Sequence, residues 1–255
     1  MKITATIITY NEEKNIERCL KSLSKVVDEI IVVDSGSIDN TVDICKKYNA
    51  NIYFNLFINY GKQKNFAVSK ASNRWIFSID ADEVLSCSLI DRIQKFRQSR
   101  FDADGYRIRR QNLLYGFMPK HWWEYQLRLF DKTKGKFTDV AVHEYVIVEG
   151  ITKNIEEPII HSSYDNISDH IIRINKYSEL EANKPNKNIN FIDLYIKPIY
   201  IFLLLLFRKG LILDKIPGIH VAFMTSFYRY LVSFRLWKNN KENIKTLIKH
   251  QNTEK

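Results

Sequence analysis

A short apolar run that ends in three carboxylates constrains this chain more than any other feature. Residues 75–79 (WIFSI) have the composition of a buried strand, and Asp80, Asp82 and Glu83 follow directly. Acids rarely end a buried strand unless something pairs with them. Asp80 and Asp82 are two residues apart, so in extended backbone both side chains face one side and can share a cation. Hard oxygen ligands suit Mg²⁺ or Mn²⁺ carrying a phosphate, although a solvated strand end would contain the same residues.

Strand-like and helix-like segments alternate through the first hundred residues. Apolar or β-branched runs at residues 3–9, 29–34 and 51–54 predict three strands before the one that ends at Asp80, and segments with helical spacing lie between them. Alternation with short connections predicts an α/β fold, in which helices cover both faces of a mostly parallel sheet.

Polar residues follow three of the four predicted strands, at positions 9–12, 34–37 and 80–83. Ligands bind outside the carboxyl ends of the strands in such sheets, so we expect the three clusters to converge on one site. Asn11 and Asp39 also have a local explanation, because either could cap the helix that follows it.

The composition limits the class of partner and the compartment. The chain has 255 residues and a formal net charge of +10, which predicts one large domain, or one with an appendage, and an anionic partner. Helix-turn-helix, zinc-finger and RNP patterns are not apparent, so no nucleic acid is expected. Three dispersed cysteines and a β-branched N-terminus unlike a signal peptide predict a cytoplasmic protein.

Several of these segments together resemble the family 2 glycosyltransferases, which are inverting enzymes with the Rossmann-like GT-A fold. The matching segments are Thr6-Ile-Ile-Thr-Tyr-Asn-Glu-Glu13, Val32-Val-Asp-Ser-Gly-Ser-Ile-Asp-Asn-Thr41, Gly61-Lys-Gln-Lys-Asn-Phe-Ala67 and Ile79-Asp-Ala-Asp-Glu83. Gln126-Leu-Arg-Leu-Phe130, Val142-His-Glu144 and His161-Ser-Ser-Tyr164 resemble the subgroup that adds glucose or a similar hexose to the lipopolysaccharide or lipooligosaccharide core.

The resemblance implies a UDP-sugar donor and assigns its nucleoside to the first two clusters. Asp34 would accept a hydrogen bond from the uracil imide, and Thr9, Asn11 and Glu12 would line the same pocket. Asn11 could instead be only a helix cap.

The third cluster is assigned to the metal and the diphosphate. Asp82 would be the direct ligand of Mg²⁺ or Mn²⁺, and Asp80 would lie beside the ribose or the metal. Lys64 would add positive charge near the diphosphate or the base, unless it is a solvated lysine. Glu83 is as well explained by pairing with an arginine as by contact with substrate.

An inverting transfer needs one base that deprotonates the acceptor hydroxyl. Glu144 is the first candidate because it matches the family's Val-His-Glu, and Asp139 is the second. A base needs partial desolvation, so depth of burial is expected to separate them. His143 would orient the base or contact phosphate; a surface His143–Glu144 pair is the alternative.

Residues 115–125 are aromatic and irregular, which predicts an acceptor loop or lid. Trp122 and Trp123 are the candidate sugar-stacking residues, although packing within the domain explains them equally well. The arginines of the neighbouring segments are candidates for acceptor phosphates or for a solvated strand face.

The predicted domains are a catalytic domain over residues 1–165, with a nucleotide-sugar half at 1–100 and an acceptor half at 101–165, and a helical region over 166–255. The apolar run at residues 199–207 is too short to span a bilayer. Together with the basic, aromatic stretch at residues 216–237, it predicts amphipathic helices on the inner face of the cell membrane. Packing on the catalytic domain or a dimer contact are the alternatives.

These observations favour an inverting, metal-dependent hexosyltransferase that acts on a lipid-linked saccharide. The acceptor could also be another cell-envelope glycan or a protein. A sugar nucleotidylyltransferase would need a Gly- and Arg-rich loop after the first strand, which Tyr10-Asn-Glu-Glu13 lacks. An inactive basic scaffold on the same fold would not need acids at all three strand ends.

Overall fold

The computed structural model describes residues 1–99, 101–139, 144–164, 166–182 and 189–253. They form two compact units. The N-terminal unit lies within residues 1–112 and 123–163, and the C-terminal unit lies within residues 113–122 and 164–255. The segment 113–122 therefore groups with the C-terminal helices, whereas the predicted division places it in the acceptor half of the catalytic domain.

The strands and first helices follow in chain order: β1 (Ile3–Thr9), α1 (Ile16–Leu23), β2 (Glu29–Asp34), α2 (Thr41–Lys47), β3 (Asn51–Phe54), α3 (Tyr60–Lys70), β4 (Trp75–Ser78), β5 (Glu83–Leu85), α4 (Cys87–Gln98), β6 (Gly105–Leu114), β7 (Trp123–Asp131), β8 (Gly135–Phe137), β9 (Val146–Val148) and β10 (Thr152–Tyr164).

The described strands form one sheet of eight, in the order β3-β2-β1-β4-β7-β6-β10-β5, and a small sheet of β8 and β9. The first four strands of the large sheet are parallel, as predicted. Strand β7 runs antiparallel to β4 and β6, and β5 runs antiparallel to β10. The parallel strands therefore present their carboxyl ends at one edge, and the later strands extend the sheet beside them.

Helices cover both faces of the parallel strands, because successive side chains of a strand point to opposite faces. Ile30 and Val32 of β2 belong to the main core with α1, α2 and α4. Ile31 and Val33 of the same strand pack with Ala67 of α3 on the other face. Burial on both faces explains why these strands are continuously apolar.

The C-terminal unit is helical, as the sequence predicts. Its elements are α5 (Ile167–Ala182), a π-helical segment (Ile192–Ile196), α6 (Lys197–Leu203), a second π-helical segment (Leu204–Arg208), a 3₁₀ turn (Leu211–Asp214) and α7 (Lys215–Thr253). A core of Leu114, Leu206, Leu211, Val221 and Ala222 joins these helices to the segment 113–122.

An apolar stripe stays exposed on this unit, along the segment from Ile192 to Phe207. Leu194, Pro198 and Leu206 of the segment are buried. The exposed residues recur every three or four positions, which is the spacing of one helix face: Ile192, Tyr195, Ile196, Ile199, Tyr200, Leu203 and Phe207. None of the helices in the described part of the chain is both long and apolar enough to cross a bilayer.

Candidate active site

The carboxyl edge of the parallel strands brings together the residues that were predicted to bind the nucleotide-sugar donor. Thr9 and Asp34 are register partners at the ends of β1 and β2. Strand β4 pairs with the other side of β1, where the N–H of Ile79 donates to Thr6 O at 3.1 Å, and Asp80 follows at the same edge. The three polar clusters therefore meet at one edge because of the strand order alone.

The loops after β1 and β2 are tied to each other. Asn11 adopts a left-handed conformation (φ 55°), and its Oδ1 accepts a hydrogen bond from the N–H of Ile38 at 2.9 Å. The N–H of Glu12 donates to Thr41 Oγ1 at 2.8 Å. Asn11 does not cap α1, which begins only at Ile16, so the capping hypothesis for it is wrong.

Asp39 lies one residue before Asn40, the N-cap of α2, so the prediction that Asp39 itself caps this helix is wrong by one position. Its Oδ1 still accepts a hydrogen bond at 3.0 Å from the N–H of Thr41, the first residue of α2. Its Oδ2 accepts another from the N–H of Glu13 at 3.1 Å, so this carboxylate also joins the two loops. Burial opposes ionisation, but these hydrogen bonds lower the pKa of Asp39.

Asp34 organises the turn that follows it. Its Oδ2 accepts hydrogen bonds from the N–H groups of Gly36 and Ser37, both at 2.9 Å, and its Oδ1 accepts from Ser37 Oγ at 2.5 Å. The hydroxyl of Thr9 is buried beside it without a hydrogen-bond partner among the described residues. A buried hydroxyl without a partner is costly, so Thr9 is suited to a group that arrives with a ligand.

Asp80 lies at the centre of a charged network. Lys64 Nζ is 2.8 Å from Asp80 Oδ1 and 2.8 Å from Glu144 Oε1, and Arg128 Nη2 is 2.9 Å from Asp80 Oδ2. Burial by itself raises the pKa of Asp80, but Arg128 and Lys64 hold it well below its ordinary value. Burial lowers the pKa of Lys64, but Asp80 and Glu144 outweigh this effect and the pKa is raised.

Glu83 is fully buried and binds three members of this network. Its Oε1 accepts hydrogen bonds from Arg128 Nη2 at 2.5 Å and Arg110 Nε at 2.6 Å. Its Oε2 accepts the N–H of Asp80 at 3.0 Å. Burial disfavours the charge of Arg128, but Asp80 and Glu83 raise its pKa. Glu83 therefore pairs with arginines, which is the structural alternative that its sequence left open.

Asp82 pairs with a histidine from a distant strand. Its Oδ2 is 3.2 Å from His161 Nε2, and His161 Nδ1 is 2.9 Å from Asn112 Oδ1. Burial raises the pKa of Asp82, but the hydrogen bond and charge of His161 lower it overall. With Nδ1–H donated to Asn112 Oδ1, a divalent cation that displaces the proton between Nε2 and Asp82 would meet the imidazole nitrogen and the carboxylate as two neighbouring ligands.

This pair fits a metal better than Asp80 does, because both oxygens of Asp80 already contact cationic side chains. Within the described ranges, three or more His, Cys, Asp or Glu side chains do not cluster as a complete metal site. An Mg²⁺ or Mn²⁺ ion at Asp82 and His161 would therefore take further ligands from a diphosphate and water, as such ions commonly do.

The two candidate bases differ in burial. The side chain of Glu144 is 13% exposed and lies against Lys64. The side chain of Asp139 is 59% exposed, accepts a hydrogen bond from Asn59 Nδ2 at 2.9 Å and lies 3.7 Å from Lys62 Nζ. By depth of burial, Glu144 is the stronger candidate. His143 lies outside the described residues.

Helix α3 positions Lys64 through its neighbours in the motif Gly61–Ala67. Gln63 Nε2 donates to Ser35 Oγ at 2.9 Å and to Asn55 O at 3.0 Å, which joins the loops after β2 and β3. Asn65 binds the backbone of Phe137 at both its N–H (3.0 Å) and its carbonyl (2.9 Å). The helix thus connects two loops and the end of strand β8.

The two predicted acceptor tryptophans lie in different compact units. Trp123 begins β7 in the N-terminal unit, is 39% exposed and lies 4.7 Å beneath the guanidinium of Arg109. Its ring also meets Tyr125 edge-on at 5.2 Å. Trp122 packs against the core of the C-terminal unit. Trp123 is therefore partly exposed to solvent, whereas Trp122 packs within the C-terminal unit.

Sequence reasoning missed the roles of His161, Arg110 and Arg128 at this site. His161 stood out only as part of the resemblance, and the arginines were candidates for acceptor phosphates. The sequence contained one signal for these partners, because Glu83 follows directly on an apolar run, and an acid in a buried position needs cationic partners.

The family model for Glycosyl transferase family 2 matches residues 4–148, which is more than half of the chain. The chain therefore belongs to glycosyl transferase family 2. It is a glycosyltransferase with a GT-A-like α/β fold, which confirms the family, the fold class and the enzyme class that the resemblance implied.

Individual relatives extend over most of the chain. The chain is 29% identical over 267 residues to "Lipopolysaccharide core biosynthesis glycosyltransferase LpsC" of Rhizobium meliloti (strain 1021), covering 98% of both chains. It is 31% identical over 248 residues to an uncharacterized glycosyltransferase of Rickettsia bellii (strain RML369-C), covering 90% of this chain and 84% of that one. A crystal structure of S. aureus TarS 1-349 aligns with a TM-score of 0.49 at 14% identity, covering 95% of this chain and 92% of that chain.

Proposed function

We propose that this glycosyltransferase transfers a hexose, with glucose as the first candidate, from a UDP-sugar to a lipid-linked saccharide of the lipopolysaccharide or lipooligosaccharide core. The reaction is a single displacement with inversion. The main support is the arrangement at the carboxyl edge, where Asp82 faces His161 and Asp80 is joined to Glu144 through Lys64. The near full-length similarity to LpsC supports the choice of acceptor class.

The donor nucleoside is assigned to the loops after β1 and β2. The hydroxyl of Thr9, which has no hydrogen-bond partner among the described residues, and the carboxylate of Asp34, which also accepts from Gly36 and Ser37, are assigned to the uracil, and Asp80 is assigned to the ribose. Asn11 and Glu12 act mainly by holding the loops together.

Asp82 and His161 are the residues that would hold Mg²⁺ or Mn²⁺. When bound, the ion would stabilise the negative charge that develops on the departing UDP. Asn112 orients the imidazole of His161 toward Asp82, and Lys64 and Arg128 contribute fixed positive charge beside the diphosphate position.

Glu144 is assigned as the base that takes the proton of the acceptor hydroxyl. Its enclosed carboxylate is held in place by Lys64, so its position depends on the same lysine that contacts Asp80. Asp139 is the second candidate. Trp123, which is 39% exposed and lies beneath the guanidinium of Arg109, is assigned to the acceptor sugar.

The enzyme is assigned to the cytoplasmic face of the cell membrane as a peripheral protein. The exposed apolar stripe of the C-terminal unit supports this assignment. Lys197 lies within the segment that forms the stripe, and Arg208 and Lys209 follow it directly. Helices with an apolar face and basic residues at its margin bind in the lipid headgroup layer.

UDP release is the first test. Purified enzyme is given a panel of UDP-sugars with Mg²⁺ or Mn²⁺ and a saccharide acceptor extract, and the Asp82→Ala variant is compared. We expect release with one sugar, loss on chelation and a reduction of at least about 100-fold in the variant. Asp91→Ala, at an exposed position of α4, is the matched control. Normal turnover by Asp82→Ala would contradict the assignment, and absence of UDP binding with metal present would favour an inactive scaffold.

A further inference from the structure

A row of polar side chains crosses four neighbouring strands of the large sheet. The strands are β7, β6, β10 and β5, which lie next to one another in that order. Glu124 and Arg110 are register partners on β7 and β6, and His161 and Glu83 are register partners on β10 and β5. Asn112 lies two positions after Arg110 on β6, so its side chain emerges on the same face. The row therefore connects an exposed glutamate of β7 with the buried glutamate of β5.

Arg110 is the centre of this row. Its Nε donates to Glu83 Oε1 at 2.6 Å, and its Nη1 donates to Glu124 Oε1 at 3.2 Å and to Asn112 Oδ1 at 3.4 Å. The side chain of Arg110 is 15% exposed, and a carboxylate binds it at each end. Because the guanidinium is planar and rigid, these two carboxylates also fix the direction in which it faces Asn112.

The guanidinium of Arg110 decides which way the side-chain amide of Asn112 faces. A guanidinium only donates, so the amide atom beside it must be the acceptor Oδ1 and not Nδ2. The same Oδ1 lies 2.9 Å from His161 Nδ1. Since Oδ1 only accepts, Nδ1 carries the hydrogen, and in the neutral imidazole Nε2 then keeps its lone pair.

That lone pair faces Asp82, whose Oδ2 is 3.2 Å from His161 Nε2. Two atoms with lone pairs repel each other at this distance unless a cation lies between them. With the amide of Asn112 turned over, Nδ2 would donate to His161 Nδ1, and the hydrogen would move to Nε2 and bond to Asp82 in place of a metal ion.

We propose that Arg110 is a positioning residue for the divalent cation. By fixing the amide of Asn112, it keeps the hydrogen of His161 on Nδ1 and leaves the lone pair of Nε2 for the cation that Asp82 also binds. The inference rests on the proposed function, which assigns the cation to Asp82 and His161. Arg110 itself acts only through Asn112 and His161.

The affinity for Mn²⁺ tests this role without turnover. It is measured with UDP present, from the electron paramagnetic resonance signal of free Mn²⁺. Arg110→Lys keeps a cation for Glu83, but its compact ammonium cannot replace the fork that reaches both Glu83 and Asn112. We expect Arg110→Lys to bind Mn²⁺ about tenfold more weakly than wild type, because partners behind a metal-bound histidine commonly have effects of this size. Arg107→Lys, an exposed change on the same strand, should bind like wild type.

An aspartate at position 112 separates positioning from a general structural effect. Its two oxygens both accept, so turning the group over changes nothing and Arg110 is no longer needed to orient it. Asn112→Asp should therefore raise Mn²⁺ affinity about threefold more in the Arg110→Lys background than in wild type. Thermal unfolding without metal checks that each variant is folded. If Arg110→Lys does not fold, Glu124→Gln, which removes only the exposed anchor of the guanidinium, takes its place.

Equal Mn²⁺ affinity of Arg110→Lys and wild type would overturn the inference, and so would equal effects of Asn112→Asp in the two backgrounds. Asp82→Ala and His161→Gln distinguish this result from a failure of the proposed metal site. If both of these variants lose Mn²⁺ and Arg110→Lys does not, the proposed function stands and only the role of Arg110 is wrong. If neither loses Mn²⁺, the assignment of the cation to Asp82 and His161 is itself wrong, and the inference is wrong with it.

Discussion

At Glu83, one carboxylate without solvent contact serves three groups: the guanidinium groups of Arg110 and Arg128 and the N–H of Asp80. Arg128 also contacts Asp80, and Asp80 contacts Lys64. The position of Asp80 is therefore set by residues that need not touch substrate. A buried ion pair of this kind is weak evidence for stability but strong evidence that neither partner can be removed alone.

Glu83→Ala leaves two guanidinium groups without their buried partner. We expect the free energy of unfolding to fall by about 3–5 kcal/mol, because an uncompensated charge remains inside. Urea denaturation measures this loss, and Glu149→Ala, at an exposed position, is the control. Glu83→Gln should fold more stably than Glu83→Ala but transfer sugar more slowly than wild type. An unfolding free energy of Glu83→Ala equal to that of wild type would contradict the proposed role of Glu83 as the buried partner of the two arginines.

Asp80 also predicts a pH dependence. Its pKa in the folded protein is held below the ordinary value by Arg128 and Lys64, against the effect of burial. Its contribution to stability is therefore complete above the unfolded pKa of about 3.9 and is lost as the pH falls through the lower folded value.

We accordingly expect the stability difference between wild type and Asp80→Asn to be constant near neutrality and to shrink in acid. Chemical denaturation of both proteins from neutral pH down to about pH 3 measures it. A difference that does not vary with pH would mean that the pKa of Asp80 is not lowered by folding.

Among the elements, α3 shows how a short motif serves a site without supplying most of its chemistry. Gln63 binds two neighbouring loops, Asn65 binds the end of strand β8, and Lys64 reaches Asp80 and Glu144. Gly61 allows a close approach, since a Cβ there would lie 2.0 Å from the carbonyl oxygen of Thr138. The small residue at the start of the helix is thus required by the backbone of the segment that leads to Asp139.

Gly61→Ala should push α3 away from Thr138. The obstacle is a backbone oxygen, which cannot rotate aside, so we expect a loss of about 1–3 kcal/mol in unfolding free energy and slower transfer. Thermal unfolding and UDP release measure the two effects. Ser69→Ala, an exposed change on the same helix, should match wild type. Wild-type turnover by Gly61→Ala would mean that the approach of the two segments does not matter for the site.

For the whole molecule, positive charge and exposed apolar surface occur together toward the C-terminus. Residues 166–255 contain 15 Lys or Arg and 7 Asp or Glu, so they carry most of the net charge of +10. The same region contains the exposed apolar stripe between Ile192 and Phe207.

Much of the fold and part of the site could be predicted from local sequence. The β-branched runs, the helical spacing between them and the acids at strand ends are properties of short segments, and they gave the parallel half of the sheet and its ligand-binding edge. Thr9, Asp34 and Asp80 meet there because parallel strands share one carboxyl edge, whatever the later chain does.

The tertiary structure alone decided which partners those acids receive. His161 is 79 positions from Asp82, and Arg128 is 45 positions from Glu83. Both reach the site on strands that join the sheet through antiparallel pairing, a path that no local pattern specifies. Likewise, Trp122 and Trp123 are adjacent in sequence but belong to different units. The sequence by itself therefore determined the sheet edge at which the site lies. Long-range packing determined which charged side chains surround it, because those side chains come from later strands whose pairing no local pattern specifies.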